Sequence, residues 1–182
     1  MENAMTIKGL FSFVRLLLLI SAALGPKSPS TPAEVQSAAA LARLKSLAGE
    51  WQSVGPKREH AKLTYEVISA GSAVMERFSS DALPPKSGEM ITVYYIDRGE
   101  LVLTHYCIAK NQPHLRATRY DPQTGELDFD FVSGGNMSTG EEGHMHSAKM
   151  RFIDDNHLST EWQYMEGRTP KFKELSEFTR VN

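Results

Sequence analysis

The chain has 182 residues, 41% of them hydrophobic and 23% charged, with a formal net charge of −2. That is enough for one globular domain, too ordinary in composition for wholesale disorder, and too short of surplus Lys and Arg for nucleic acid to be an obligate partner. A single cysteine, Cys107, excludes an intrachain disulfide framework and a cysteine-rich zinc module.

Residues 1–24 read as an export signal. Lys8 and Arg15 give a positive start, an apolar run follows from Leu16 to Leu24, and Ser21-Ala22-Ala23 offers small residues for cleavage. At about nine residues the run is well short of the ~20 that span a bilayer as a helix, so no transmembrane segment is expected in the mature chain. Residues 25–32, rich in Pro and Ser, read as a linker. The expected product is an exported protein, periplasmic or extracellular, with one domain over residues 33–182. In an oxidising compartment a lone thiol is buried, ligated or reactive.

Thr31-Pro32-Ala33-Glu34 predicts a helix start: Thr31 as cap, Pro32 in the first turn, and Glu34 completing a capping box. The helix is expected to run through Ala48, with one apolar stripe of Val35, Ala38, Ala39, Leu41, Ala42, Leu44 and Leu47, and to end at Gly49. From Trp51 onward the period changes to two. Leu63, Tyr65 and Val67 alternate with Lys62, Thr64 and Glu66, and Leu127, Phe129 and Phe131 alternate with acidic residues. About ten strands are expected, over 50–54, 60–68, 72–79, 89–97, 100–109, 114–120, 126–132, 143–153, 157–165 and 171–181. No helical stretch interrupts them, so parallel crossovers have no room. The expected fold is all-β: an antiparallel up-and-down barrel, closed because closure removes the edges, with one N-terminal helix at its closed end.

Turn lengths fix part of the register. A three-residue loop at 154–156 opposes Phe152 to Leu158, Met150 to Thr160, Ala148 to Trp162 and Lys149 to Glu161, which gives one apolar and one charged face. It also sets His146 opposite Tyr164 and His144 opposite Glu166. A two-residue turn at Arg98-Gly99 opposes His105 to Thr92, Leu103 to Tyr94 and Cys107 to Met90. Both faces of that hairpin are largely apolar. The His105–Cys107 face is expected to look inward, because a thiol and an imidazole beside Tyr94 suit a lined cavity.

Gly49-Glu50-Trp51 at the helix–strand junction, with Arg180 on the last strand, resembles the lipocalin-like (calycin) barrels, which include fatty-acid-binding relatives. There a first-strand Trp closes one end and a terminal-strand Arg packs over it, a cation–π contact that also seals the end. More narrowly, Leu103-Thr104-His105-Tyr106-Cys107, Asn111-Gln112-Pro113, His144-Met145-His146 and the stretch from Asp155 to Trp162 resemble uncharacterised secreted bacterial calycin-like domains. The likeness covers about residues 33–182. It implies a fold, with Gly49, Trp51 and Arg180 as closure residues, and no activity.

His105-x-Cys107 and His144-x-His146 each place two donors on one strand face. Three roles are open to these residues: hydrogen-bonded core groups, ligand contacts in a cavity, or ligands for zinc, copper or haem. No cofactor is the first expectation. Nucleophilic catalysis by Cys107 with His105 is disfavoured, because no oxyanion-stabilising loop follows. The Gly-rich segment 133–140 lacks the Lys and helix of a phosphate loop and reads as a mobile flap at the barrel mouth, with 81–88 as a second rim segment. The leading expectation is a binding module; the sequence leans away from an enzyme without excluding one, and the metal or haem alternative leaves an activity open. The module would hold a small hydrophobic or amphipathic molecule among Tyr94, His105, Cys107, His144, His146, Trp162 and Tyr164. The alternatives are a metal or haem site at His105, Cys107, His144 and His146, or a filled barrel. The filled barrel would use the face of Ile91, Val93, Tyr95, Val102, Tyr106 and Ile108 as a homodimer interface or as a seat for the helix.

Overall fold

The computed structural model describes residues 30–54, 60–85 and 87–181. The expected export segment 1–24 and linker residues 25–29 lie outside the described residues. Helix α1 spans Pro32–Lys45 and starts as its sequence dictates. Thr31 accepts the Glu34 N–H, and the Glu34 carboxylate accepts the Thr31 N–H at 2.6 Å. The helix ends earlier than expected, at a Ser46 cap whose N–H returns to Arg43. Its buried face is also narrower than the expected stripe: Ala40, Leu41 and Leu44 are covered, whereas Val35, Ala38, Ala39 and Ala42 face solvent. Alanine broadened the apparent stripe, because it reads as apolar yet loses little by standing in water.

Ten strands follow: β1 (Gly49–Val54), β2 (His60–Ile68), β3 (Ala73–Ser80), β4 (Met90–Asp97), β5 (Glu100–Tyr106), β6 (Gln112–Asp121), β7 (Glu126–Gly135), β8 (His144–Phe152), β9 (His157–Glu166) and β10 (Thr169–Arg180). Each pairs antiparallel with its neighbours in sequence, and β10 returns to β1, so the sheet is a closed up-and-down barrel. The β4–β5 hairpin turns on Arg98 and Gly99, both at positive φ, the two-residue geometry that matches strand twist. It sets Thr92 opposite His105 and Tyr94 opposite Leu103, as the sequence predicts. The His105 face looks inward: Thr92, Tyr94, Leu101, Leu103 and His105 are buried. Ile91, Val93, Tyr95 and Val102 are half-buried on the outside. The helix does not sit on that outer face. It packs over the barrel end, where Leu41 and Leu44 join Trp51, Leu101 and Phe152 in one core.

The β8–β9 register also follows the predicted three-residue loop from Phe152–Leu158 to Ala148–Trp162. Beyond that it departs. Tyr164 pairs with Met145 and His144 pairs with Met165, because His146 is an extra residue without a ladder partner. A bulge of this kind reverses which side chains face inward. The sequence carries no mark of it.

The two ends differ. At the sealed end, α1 is tied to the hairpins beneath it: Gln36 to the Tyr120 carbonyl at 2.7 Å, and Arg43 to Asp155 at 3.1 Å. There the seam closes on two described rungs, Trp51–Arg180 and Gln52–Thr179. The Arg180 guanidinium lies 4.3 Å from the Trp51 ring centre and donates to the carbonyls of Ser46, Ala48 and Asp155 at 2.8–2.9 Å. Gly49, at φ +125°, keeps this site open, since a Cβ there would come within 3.2 Å of the guanidinium. Among the described residues no helix is long and apolar enough to cross a membrane.

Arg180→Lys keeps the charge but loses the planar fork that reaches three carbonyls. It is expected to cost about 2 kcal/mol in urea unfolding. A variant within about 0.5 kcal/mol of the parent, a change typical of a neutral surface site, would show that the fork does not hold the seam.

Candidate functional site

Midway along the barrel a carboxyl group is buried. Glu76 is 5% exposed and projects inward from β3 between Val74 and Phe78. Tyr94 donates to its Oε2 at 2.8 Å, and Thr92 donates to its Oε1 at 3.4 Å. The Tyr65 hydroxyl adjoins the same carboxyl in a geometry short of a full hydrogen bond. Thr92 Oγ1 also lies 2.9 Å from His105 Nδ1. A chain of polar groups thus runs Tyr94–Glu76–Thr92–His105 across β3, β4 and β5, in the rungs Glu76–Thr92 and Thr92–His105. It stops at His105 Nε2, which is buried and has no partner. The His105 ring, 4% exposed, packs on Trp162 with 4.9 Å between centroids.

Burial raises the pKa of Glu76, and the surrounding hydroxyls offset only part of that rise. Burial pushes His105 the other way, to about 4, so its imidazole is neutral at pH 7. The Cys107 thiol is also raised by burial, which holds it in the unreactive protonated form.

His105 and Glu76 line a small internal cavity of about 30 Å³, with Trp162, Thr160, Met90 and Met145 among its other walls. It has room for one or two waters and not for a ligand's body. A larger cavity of about 500 Å³ lies at the mouth, lined by Leu83, Cys107, Ile108, Tyr164 and Phe172 among others. The two share Phe78, Met90, Met145 and Glu174. Tyr164 stacks on Phe172 at 5.0 Å and 7°. Gly143 permits the position of Tyr164, because a Cβ there would fall on its hydroxyl.

The residues singled out in the sequence divide into two groups. His105 and Trp162 line the inner cavity, Cys107 and Tyr164 line the adjoining mouth cavity, and Tyr94 holds Glu76. Cys107 lies just past β5, in a turn closed by the Lys110 N–H on its carbonyl, and not on the strand expected through 109. His144 and His146 stand apart. They hydrogen-bond each other at 3.0 Å and pack on Phe131, outside both cavity linings. The bulge at His146 sends Met145 to the cavity in their place. The four donors weighed for zinc, copper or haem are thus not assembled around one point. Among the described residues, no group of three or more His, Cys, Asp or Glu side chains is placed to hold a metal.

Rim segments 81–88 and 133–140 both lie at the mouth end. Ala82 and Leu83 line the cavity. The second segment is tied internally, with the Glu142 carboxylate accepting the N–H groups of Ser138 and Thr139 at 2.6 and 3.0 Å. Glu76 escaped the sequence reading. Its one signal is a carboxylate between Val74 and Phe78 on a single strand face.

The lowered His105 pKa has a sign that can be measured. Between pH 6.5 and 4 the unfolded chain takes up a proton that the folded protein does not, so stability falls as pH falls, by about 3 kcal/mol over the full window. Glu76 acts oppositely, because a raised carboxyl pKa favours the folded state as pH falls. Urea unfolding of the parent and of His105→Gln across this range isolates the histidine. The parent is expected to lose ground relative to the variant on acidification, and parallel profiles would refute the assignment.

No protein-family model matches the chain, and no curated protein does. Among solved structures it is similar to a protein of unknown function from the DUF3598 family of Nostoc punctiforme PCC 73102, at 10% identity and a TM-score of 0.48. The match covers 76% of this chain and 49% of the other, so the chain spans about half the length of that protein.

Proposed function

We propose that this protein is a container for a small amphipathic molecule, with the apolar body held in the mouth cavity and the polar tip directed at His105. One observation carries the reading. An unpartnered ring nitrogen, almost wholly buried, lines a space that adjoins an apolar cavity of about 500 Å³. Leaving such a group unsatisfied costs about 1–3 kcal/mol, which a bound molecule recovers. The volume falls in the range of small-molecule sites, and the walls are mostly apolar with a few convergent polar groups. The export signal expected over residues 1–24 and the likeness of Gly49, Trp51 and Arg180 to the calycin closure fit an exported binding barrel of that kind.

Trp162 lines the inner cavity, whereas Trp51, the other tryptophan, is at the sealed end. Titration with N-phenyl-1-naphthylamine, a neutral fluorescent apolar probe, is expected to raise probe emission and quench Trp162. Cys107→Phe, which narrows the mouth, should weaken binding by at least about tenfold, equivalent to about 1.4 kcal/mol. A probe that stays dark up to its solubility limit, or binds the variant equally well, would overturn the reading.

A further inference from the structure

The inner cavity assembles metal donors of a kind other than His, Cys, Asp and Glu. We propose that it is a site for a single copper(I) ion, held by His105, Met90 and Met145. The site needs only the inner cavity, whereas the container needs the mouth, so the two can fail separately. An ion on His105 Nε2 would stand where an amphiphile's polar tip otherwise ends.

Three strands supply the donors. Met90 opens β4 and points inward, opposite Phe78 on β3 and two residues before Thr92, the rung partner of His105 on β5. Met145 comes from β8, where the bulge at His146 brings it to the cavity. All three side chains are buried and line one space of about 30 Å³. A space of that size takes an ion or a water and not an organic body. His105 Nε2 lines it without a hydrogen-bond partner.

The donor types choose the ion. Two thioethers and one imidazole form a soft set that suits copper(I), whereas zinc sites are built from thiolate, imidazole and carboxylate. Methionine is unbranched with three rotatable bonds, so both sulfurs can close on an ion in the shared space without moving the strands. Whatever the tautomer of the free ring, a metal on Nε2 puts the ring proton on Nδ1. Thr92 Oγ1 lies 2.9 Å from Nδ1 and accepts it there, the supporting hydrogen bond that metal-bound histidines commonly make. Trp162 forms another wall, with its ring centroid 4.9 Å from that of His105, and an indole face attracts a cation. Met90 and Met145 line both cavities, whereas His105 lines the inner one alone. An ion arriving through the mouth therefore meets the methionines first.

Anaerobic titration of the full-length protein with tetrakis(acetonitrile)copper(I), in competition with bicinchoninate at pH 7.5, tests this. One copper per chain is expected, with quenched tryptophan emission and shifts of the Met90 and Met145 ε-methyl signals in methyl-labelled protein. Met90→Leu and Met145→Leu conserve volume. Each is expected to weaken copper(I) binding by at least about tenfold, equivalent to about 1.4 kcal/mol. The methyl signals of the parent decide the matter even if a variant does not fold. Methyl signals that stay fixed as copper(I) is added overturn the assignment. So does copper that is lost in Cys107→Ser and retained in the methionine variants, since the ion would then sit on the mouth thiol. Zinc(II) that shifts the same signals at equal concentration overturns the choice of copper(I).

Discussion

The barrel closes through Trp51–Arg180 and Gln52–Thr179, and a guanidinium clamped between an indole and three carbonyls secures those rungs. Both rungs lie at the end covered by α1. That placement divides the interior. Toward the helix, β10 contributes Phe178 to a packed core that contains Trp51, Tyr65, Phe129 and Phe152. Toward the mouth, the β10 residues Ser176, Glu174 and Phe172 line the cavities instead of a packed core. The cavity begins where the packing ends. A sheet sealed equally at both ends would leave His105 no route to a ligand.

At that boundary stands a cluster that a barrel built for stability alone would not keep. Glu76, Thr92, Tyr94 and His105 are all buried, and burying such groups is unfavourable unless every one is satisfied. Three of them satisfy one another. The fourth, His105, does so through one nitrogen and leaves the other bare. Replacing the set with aliphatic residues of similar volume would remove the desolvation penalty. Under the proposed reading, the unfinished polar chain prepares a site and the apolar mouth above it supplies the surface for a ligand's body. The same contrast separates His105 from His144 and His146, which are satisfied by each other and by the Glu142 carbonyl and stand outside the cavity.

Much of this architecture was legible in the sequence because it is set by local chemistry. Alternation gave the strands, turn length gave two hairpin registers, and the Thr31–Glu34 capping box gave the helix start. Two things escaped. The bulge at His146 depends on how β8 meets its neighbours near the mouth, and alternation read through Ala148, His146 and His144 put the two imidazoles on the cavity wall where Met145 stands. Glu76 was missed because nine residues separate β3 from β4, so no tight turn fixes that register and nothing local says which face holds the carboxylate. Once Glu76 is seen opposite Thr92, the polar chain that ends at His105 can be traced rung by rung.

The most direct measurement of the central claim is the ¹⁵N spectrum of the His105 ring in labelled protein at pH 7, with and without a bound alcohol. The account predicts a shift of the Nε2 resonance when dodecanol saturates the cavity. An Nε2 resonance that stays fixed as the ligand saturates would contradict it.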